Sequence, residues 1–273
     1  MILPGSYANG FAPRDGQPLY PELWKGCVGA WNPGLGVSGL TLRDNSGFQN
    51  NGTLTNGPTW AASGGKYAMS FDGVDDFVDA GTGVSQSFDL TKFTASVWVN
   101  PSLATGGNGN AIIGRIESYA AGLNGFLVTY RSGGAALLIA NASTYNEFFG
   151  QGIITLNTWN HVIVWSNGTS FGCSINGRNV YTAATSISPT YRLTDTLRIG
   201  KGTGATIFRG LIDDVRVYNR ALSDQEIRLL ATRRGIAYEM ASRRRSSAQV
   251  TVAPLRYNLF SGSIGNTDVI GAS

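Results

Sequence analysis

Charge is scarce in this chain. Only 14% of its 273 residues are Asp, Glu, Lys or Arg, against roughly 25% in ordinary globular domains. With 42% apolar residues and aromatics throughout, the chain can bury a core, which excludes charge-driven disorder. Long apolar runs are missing too: no stretch approaches the roughly 18 residues of a membrane span. The opening Met1-Ile2-Leu3-Pro4-Gly5-Ser6-Tyr7 has neither the basic start nor the apolar run of a secretion signal. The expectation is a protein that acts where it is made or leaves the cell by another route. Histidine occurs once, as His161, and glutamate five times, as Glu22, Glu117, Glu147, Glu226 and Glu239. Two cysteines, Cys27 and Cys173, offer neither a metal-binding spacing nor a redox pair, and a disulfide between them stays open. Cys173 alternates with Phe171 and Ile175, so it reads as a small apolar core residue.

Glycine is abundant instead, with 37 copies where about 7% is usual. From about Leu40 to Tyr218 the chain consists of short alternating runs such as 67–71, 93–100, 125–130, 135–140, 160–166, 170–175 and 210–218. Asn51-Gly52, Asn56-Gly57, Asn167-Gly168 and Asn176-Gly177 punctuate them, the pattern of an all-β sandwich. Phe71, Val97, Val99, Val162, Val164, Ile175, Leu197, Ile199, Val215 and Val217 are its expected core. One helix is predicted: Ser223-Asp224-Gln225-Glu226 is a capping box, Ile227, Leu230 and Ala231 form an apolar face, and Gly235 is placed as the C-cap. Residues 1–30 contain Pro4, Pro13, Pro18 and Pro21 among Tyr7, Phe11, Tyr20 and Trp24. Prolines remove backbone donors, so this segment reads as an extended arm packing by its aromatics on other subunits. Residues 236–273 read as a tail, first basic and then rich in Gly and Ser, and 31–235 as the single domain. The net charge of +4 comes mostly from residues 223–273, through Arg233, Arg234 and the run Arg243, Arg244 and Arg245 in the tail. Such a run fits an acidic surface or simply solvates its segment; nucleic acid is not the expected partner.

Four segments, in this order, resemble the laminin-G-like, concanavalin A-like jelly roll. They are 44–53 (Asp44-Asn45-Ser46-Gly47 onward), 70–78 (Ser70-Phe71-Asp72-Gly73-Val74-Asp75-Asp76-Phe77-Val78) followed by 93–99, Trp159-Asn160-His161-Val162 leading to Ile175-Asn176-Gly177, and 210–223 (Gly210-Leu211-Ile212-Asp213-Asp214 onward). The resemblance spans residues 44–230. It implies an all-β sandwich of two antiparallel sheets with one short C-terminal helix, flanked here by extended terminal arms. Relatives of this fold often hold a structural Ca2+, for which Asp44, Asn50 and Asp213 are the candidate ligands, since hard cations take carboxylate and amide oxygens. The alternative is that Asp44 and Asn50 shape a turn.

Some relatives are glucanases, and retaining glycosidases need two carboxylates roughly 5 Å apart. The E-x-D-x-x-E strand of laminarinase-type relatives is absent here. Asp75-Asp76 and Asp213-Asp214 point to opposite faces if extended. In the last strand Leu211, Asp213, Val215 and Val217 are expected to face the core, leaving Asp213 a buried carboxylate in need of a partner. His161 reads as a packed structural residue, and no nucleophile motif accompanies it. No catalytic residue is assigned, and the chain is read as a non-enzyme. For glycans, which stack on aromatic platforms beside amides and acids, the candidates are Tyr119, Tyr145 and Tyr191, with Tyr130, Phe148 and Phe149 beside them. This domain type is usually displayed outside cells, yet no export signal is visible, and phage proteins leave by lysis. The functional expectation is therefore a structural or adhesive protein of a bacteriophage particle, a capsid decoration or tail-associated component located in the virion. Trp24 and Arg243–Arg245 would contact other virion or surface subunits, and the jelly roll would meet cell-surface glycans. The alternatives are a bacterial surface or secreted carbohydrate-binding module, and a glycoside hydrolase of the same fold. The sandwich is expected to fold without residues 1–25.

Overall fold

The computed structural model describes residues 17–83, 91–103, 110–115, 125–131, 133–140, 145–185, 195–202 and 206–240. The alternating segments form strands β1 (Cys27–Trp31), β2 (Thr41–Leu42), β3 (Gly52–Thr55), β4 (Thr59–Ser63), β5 (Lys66–Asp72), β6 (Phe77–Asp79), β7 (Lys92–Pro101), β8 (Asn110–Arg115), β9 (Gly125–Arg131), β10 (Gly134–Ala140), β11 (Tyr145–Gln151), β12 (Asn160–Asn167), β13 (Ser170–Ile175), β14 (Arg178–Ala184), β15 (Arg198–Ile199) and β16 (Arg209–Tyr218). One sheet runs β14-β13-β12-β7-β16-β5-β4, with β1 also paired to β16; the other runs β11-β10-β9-β8-β15-β6-β3-β2. The pairings of these strands are antiparallel. All ten positions that alternation marks as core are buried in one apolar cluster between the sheets.

The Asn-Gly pairs do two kinds of work. Asn176-Gly177 joins β13 to β14 as a two-residue turn with φ of 51° and 77°, whose twist matches that of the strands it joins. Gly52, by contrast, opens β3, and a Cβ there would collide with Val78 of the neighbouring strand. Here glycine permits close packing and no turn is made.

The outer face of the first sheet carries a second apolar layer. A 3-10 turn (Pro21–Trp24), helix α1 (Asp224–Leu230) and a 3-10 turn (Ile236–Tyr238) close over Leu23, Cys27, Ala30, Ile163, Tyr218, Leu222, Ile227, Leu230, Ile236 and Ala237. The capping box is present in both directions: Ser223 Oγ accepts from the Glu226 N–H, and Glu226 Oε2 accepts from the Ser223 N–H at 2.8 Å. Ala231, not Gly235, caps the C-terminus. Gly235, at φ 73°, instead begins the last 3-10 turn.

Two expected boundaries move. Residues 27–30, assigned to the arm, form with Trp31 a strand buried along its whole length, because it pairs with β16 while lying beneath the outer layer. Residues 236–240, assigned to the tail, pack on the domain: Pro18 bridges Met240 in antiparallel fashion, and the Leu19 N–H donates to the Glu239 carbonyl at 2.6 Å. Trp24 belongs to this intramolecular layer. Its Nε1 donates to the Ala237 carbonyl at 2.8 Å and its ring meets Tyr238 edge-on at 5.1 Å. Both cysteines are buried free thiols, Cys27 in the outer layer and Cys173 in the core. Burial pushes each thiol up to about 12.

Candidate functional site

The last strand departs from simple alternation. Asp213 stands opposite Trp98, but Arg216 stands opposite Ser96, so two residues of β16 face one of β7. This β-bulge, with Asp214 at φ 43°, resets the facing. Ile212, Val215 and Val217 enter the core, and the expectation that Leu211 and Asp213 would do so is corrected. Asp213 and Asp214 no longer take opposite sides, and the C-terminal segment engages both. Asp213 Oδ2 accepts from Arg234 Nη1 at 3.0 Å, and its Oδ1 accepts from the Asp214 N–H at 2.8 Å. Asp214 Oδ1 pairs with Arg216 Nε at 3.0 Å, and its Oδ2 accepts from the Gly235 N–H at 2.8 Å.

Around this pair the charges are ordered. Arg234 also donates to the Ser63 carbonyl at 2.7 Å and lies 4.0 Å from the centre of the Trp159 ring. The fully buried Arg216 guanidinium sits between the rings of Trp24 and Tyr238, at 4.6 and 4.5 Å. Burial opposes that charge, yet the adjacent Asp214 carboxylate overrides it and holds Arg216 protonated above its ordinary range. Burial, reinforced by Asp214, pushes Asp213 up to about 7 despite Arg234 and Lys66. His161 is 1% exposed; its Nε2 meets Ser96 Oγ at 2.9 Å and its ring lies 5.0 Å from that of Trp98. Burial drives it down to about 3, so the imidazole is neutral. Its Nδ1 has no hydrogen-bond partner among the described residues. A serine nucleophile needs a base oriented by a third group, and this Ser–His contact lacks one.

The residues considered for Ca2+ have other partners. Asp44 Oδ1 accepts from the Ala30 and Ser46 N–H groups, both at 2.8 Å, and its Oδ2 accepts from Ser46 Oγ and the Asn50 N–H. Asn50 donates its side-chain amide to the Val28 carbonyl at 3.3 Å. Asp213 faces an arginine. Asp44 and Asn50 are bonded as in a turn, and Asp213 as in an ion pair. Asp72, Asp75 and Asp76 also cluster, but Asp76 accepts from the Asp72 N–H and Asp72 from the Val74 N–H, again the bonding of a tight turn.

Of the proposed sugar platform, Tyr119, Tyr191 and the Tyr145 side chain lie outside the described residues, as do Arg243, Arg244 and Arg245. Tyr130 and Phe148 are core. The described aromatic that does stand at a cleft is Trp60 of β4. Leu35, Gly36, Val37 and Ser38, together with Leu42, Arg43 and Asn45, line an open cleft of about 260 Å³ against its indole. Trp60 is half-buried, and its Nε1 donates to the Gly39 carbonyl at 2.9 Å, which fixes the ring. Asn32 closes the floor, its Oδ1 accepting from the Gly34 N–H at 2.8 Å. Leu35, Val37 and Leu40 are exposed on this loop. Nothing in the sequence marks Trp60 for this place, because the loop that meets it lies more than twenty residues earlier. A second cleft, lined by Glu22, Lys25, Arg220 and Glu226 among others, has no aromatic, and its Arg220–Glu226 pair is closed at 2.6 Å.

The signature of the concanavalin A-like lectin/glucanases superfamily matches residues 72–228. Domain 4 of AbnA, an extracellular arabinanase from Geobacillus stearothermophilus, in complex with arabinotriose, superimposes with a TM-score of 0.59 at 17% identity, over 75% of this chain and 98% of that one. The binding domain of Paraclostridial Mosquitocidal Protein 1 does so at 0.61 and 14%, over 77% and 52%. A botulinum neurotoxin type C structure, from work on cell entry through two ganglioside molecules, gives 0.57 and 14%, over 77% and 51%. The chain thus spans about half the length of the two toxin chains. No curated protein sequence matches it.

Proposed function

The chain belongs to the concanavalin A-like lectin/glucanases superfamily, and from that premise we propose that it is a non-enzymatic adhesive protein whose jelly roll binds glycans at the Trp60 cleft. The carrying observation is the cleft itself: a fixed, half-buried indole beside Asn32, Arg43 and Asn45. A sugar presents C–H faces to a ring and hydroxyls to amides, and sites of this kind combine an aromatic wall with a few placed polar groups. At about 260 Å³ the cleft lies just below the roughly 300–1,000 Å³ of drug-sized pockets, which suits the end of a glycan. The arabinanase domain in complex with arabinotriose and the ganglioside-dependent toxin support the glycan class as relatives in fold.

Support for the non-enzymatic part comes from Asp213 and Asp214. They are held by Arg234, Arg216 and the Gly235 N–H, and Asp213 is 1% exposed. We further propose that the protein works on a bacteriophage particle, as a capsid decoration or tail-associated adhesin. The flanking segments 1–16 and 241–273 join the domain at neighbouring points, beside the Pro18–Met240 bridge, as a two-strand attachment to a larger support would require.

The test is a glycan array followed by calorimetry on wild type and Trp60→Ala. The expected result is glycan binding that falls at least tenfold in the variant while the circular dichroism stays unchanged. Binding that survives the substitution would remove the site, and reducing-sugar release from a glucan panel would replace the adhesin with a hydrolase. Native mass spectrometry that found only free monomer in a phage lysate would refute the particle setting.

A further inference from the structure

Resting on the glycan reading of the Trp60 cleft, we propose that the sugar it takes carries a carboxylate, held by the Arg43 guanidinium and the Asn32 amide. No Asp or Glu lines the cleft, whereas Arg43 does. That guanidinium has no ion-pair or hydrogen-bond partner among the described residues. The acid next to it in sequence does not neutralise it: the four donors on Asp44, two of them from Ser46 and the others from Ala30 and Asn50, turn its oxygens elsewhere. Four other arginines near the outer layer are each paired, Arg216 with Asp214, Arg220 with Glu226, Arg233 with Glu239 and Arg234 with Asp213. Arg43, exposed at the rim of the cleft, keeps its planar fork free for a ligand. That fork matches a carboxylate in two parallel hydrogen bonds, a geometry a lysine cannot offer.

Asn32 is the independent observation. It is only 7% exposed, its Oδ1 is engaged by the Gly34 N–H, and its Nδ2 makes no hydrogen bond among the described residues. The open amide donor reaches solvent from a buried residue, so its place is fixed and it is free to bind an acceptor. Lys66 does not line the cleft but stands near that amide: its Nζ and Asn32 Nδ2 both lie within about 3.3 Å of the point where a side chain on Gly235 would begin. Lys66 itself donates to the Arg234 carbonyl at 2.9 Å. A carboxylated pyranose places its apolar face on Trp60 and its anion between Arg43 and Asn32, which a neutral sugar cannot do. Uronic and sialic acids share that chemistry.

The experiment titrates the full chain with matched methyl glycosides of gluco, galacto and manno configuration, each neutral and as its uronic acid, together with N-acetylneuraminic acid. At low salt we expect a carboxylated probe to bind about tenfold more tightly than its neutral partner, and salt to erode that preference. Arg43→Gln should abolish the preference, bringing each acid probe to the affinity of its neutral partner, while Trp60→Ala should remove the binding of both. Equal affinity for acid and neutral probes, or a preference that survives Arg43→Gln, overturns this inference and leaves the glycan reading standing. Tight neutral binding with an unchanged Trp60→Ala variant overturns the site, and no binding to any probe overturns both.

Discussion

At the level of single residues, Asp213 and His161 respond to acid in opposite senses. Asp213 is pushed from an ordinary 3.8 to about 7, so the folded state binds its proton more tightly than the unfolded chain. Its contribution to stability is complete below about 4 and is lost as pH rises through 7. His161 is driven from 6.5 to about 3; its contribution is complete above 6.5 and is lost as pH falls. Between about 4 and 6.5 the two oppose each other. Urea unfolding across this range should therefore show a shallow profile in wild type. Asp213→Asn should uncover the His161 slope, with stability falling on acidification, and His161→Gln should uncover the reverse, each by a few kcal/mol at most. Parallel profiles for all three proteins would contradict the assignment. That Asp213 needs a partner is legible in the sequence. That the partner is Arg234, twenty-one residues on, is not, because the bulge that turns the carboxylate outward leaves no mark in the alternation.

Among the elements, β16 and α1 show how much local pattern conveys. The α1 capping box is written in four consecutive residues and forms as read, so Ser223→Ala should cost about 1 kcal/mol in denaturant titration. In β16 the apolar residues are identified correctly, yet the bulge at Asp213–Asp214 shifts which of them face inward. Asp214 then anchors a cation with no exposure. Asp214→Ala should cost about 3–5 kcal/mol, since it leaves Arg216 charged and buried without its carboxylate. Asp214→Asn, which tolerates positive φ and keeps an acceptor, should cost less; equal losses would mean that the ion pair contributes little. Strand β1 escapes sequence reading for another reason. Covered on both sides, Cys27–Trp31 shows no polar alternation and lies just after a proline-rich stretch that suggests an arm.

For the whole molecule, the jelly roll is legible because its motifs sit at the strands and turns that make the two sheets. The outer layer is not, since it joins Leu23 and Trp24 to Ile236–Tyr238 across more than two hundred residues. That layer changes what truncation should do. Removing residues 1–16 or 241–273 should leave the melting temperature within a few degrees of wild type. Extending the first deletion to residue 25 removes Leu23, which is fully buried, and the Trp24 wall of the Arg216 site, and should destabilise by several kcal/mol; thermal melts of the three truncated proteins compare them directly. Melts with chelator and with added Ca2+ should coincide, because Asp44 is already filled by four donors. A chelator-sensitive melt would return Asp44 and Asn50 to the list of ligands.

The bridge between Pro18 and Met240 also settles how the domain bears load. Entry and exit of the described domain lie side by side, so a pull applied through both flanks would meet the sandwich at one root. The same closeness allows the ends to be spliced by a short linker and the chain reopened at the Gly64-Gly65 turn between β4 and β5. Such a permutant should fold with both sheets intact, a ring cut at a different point.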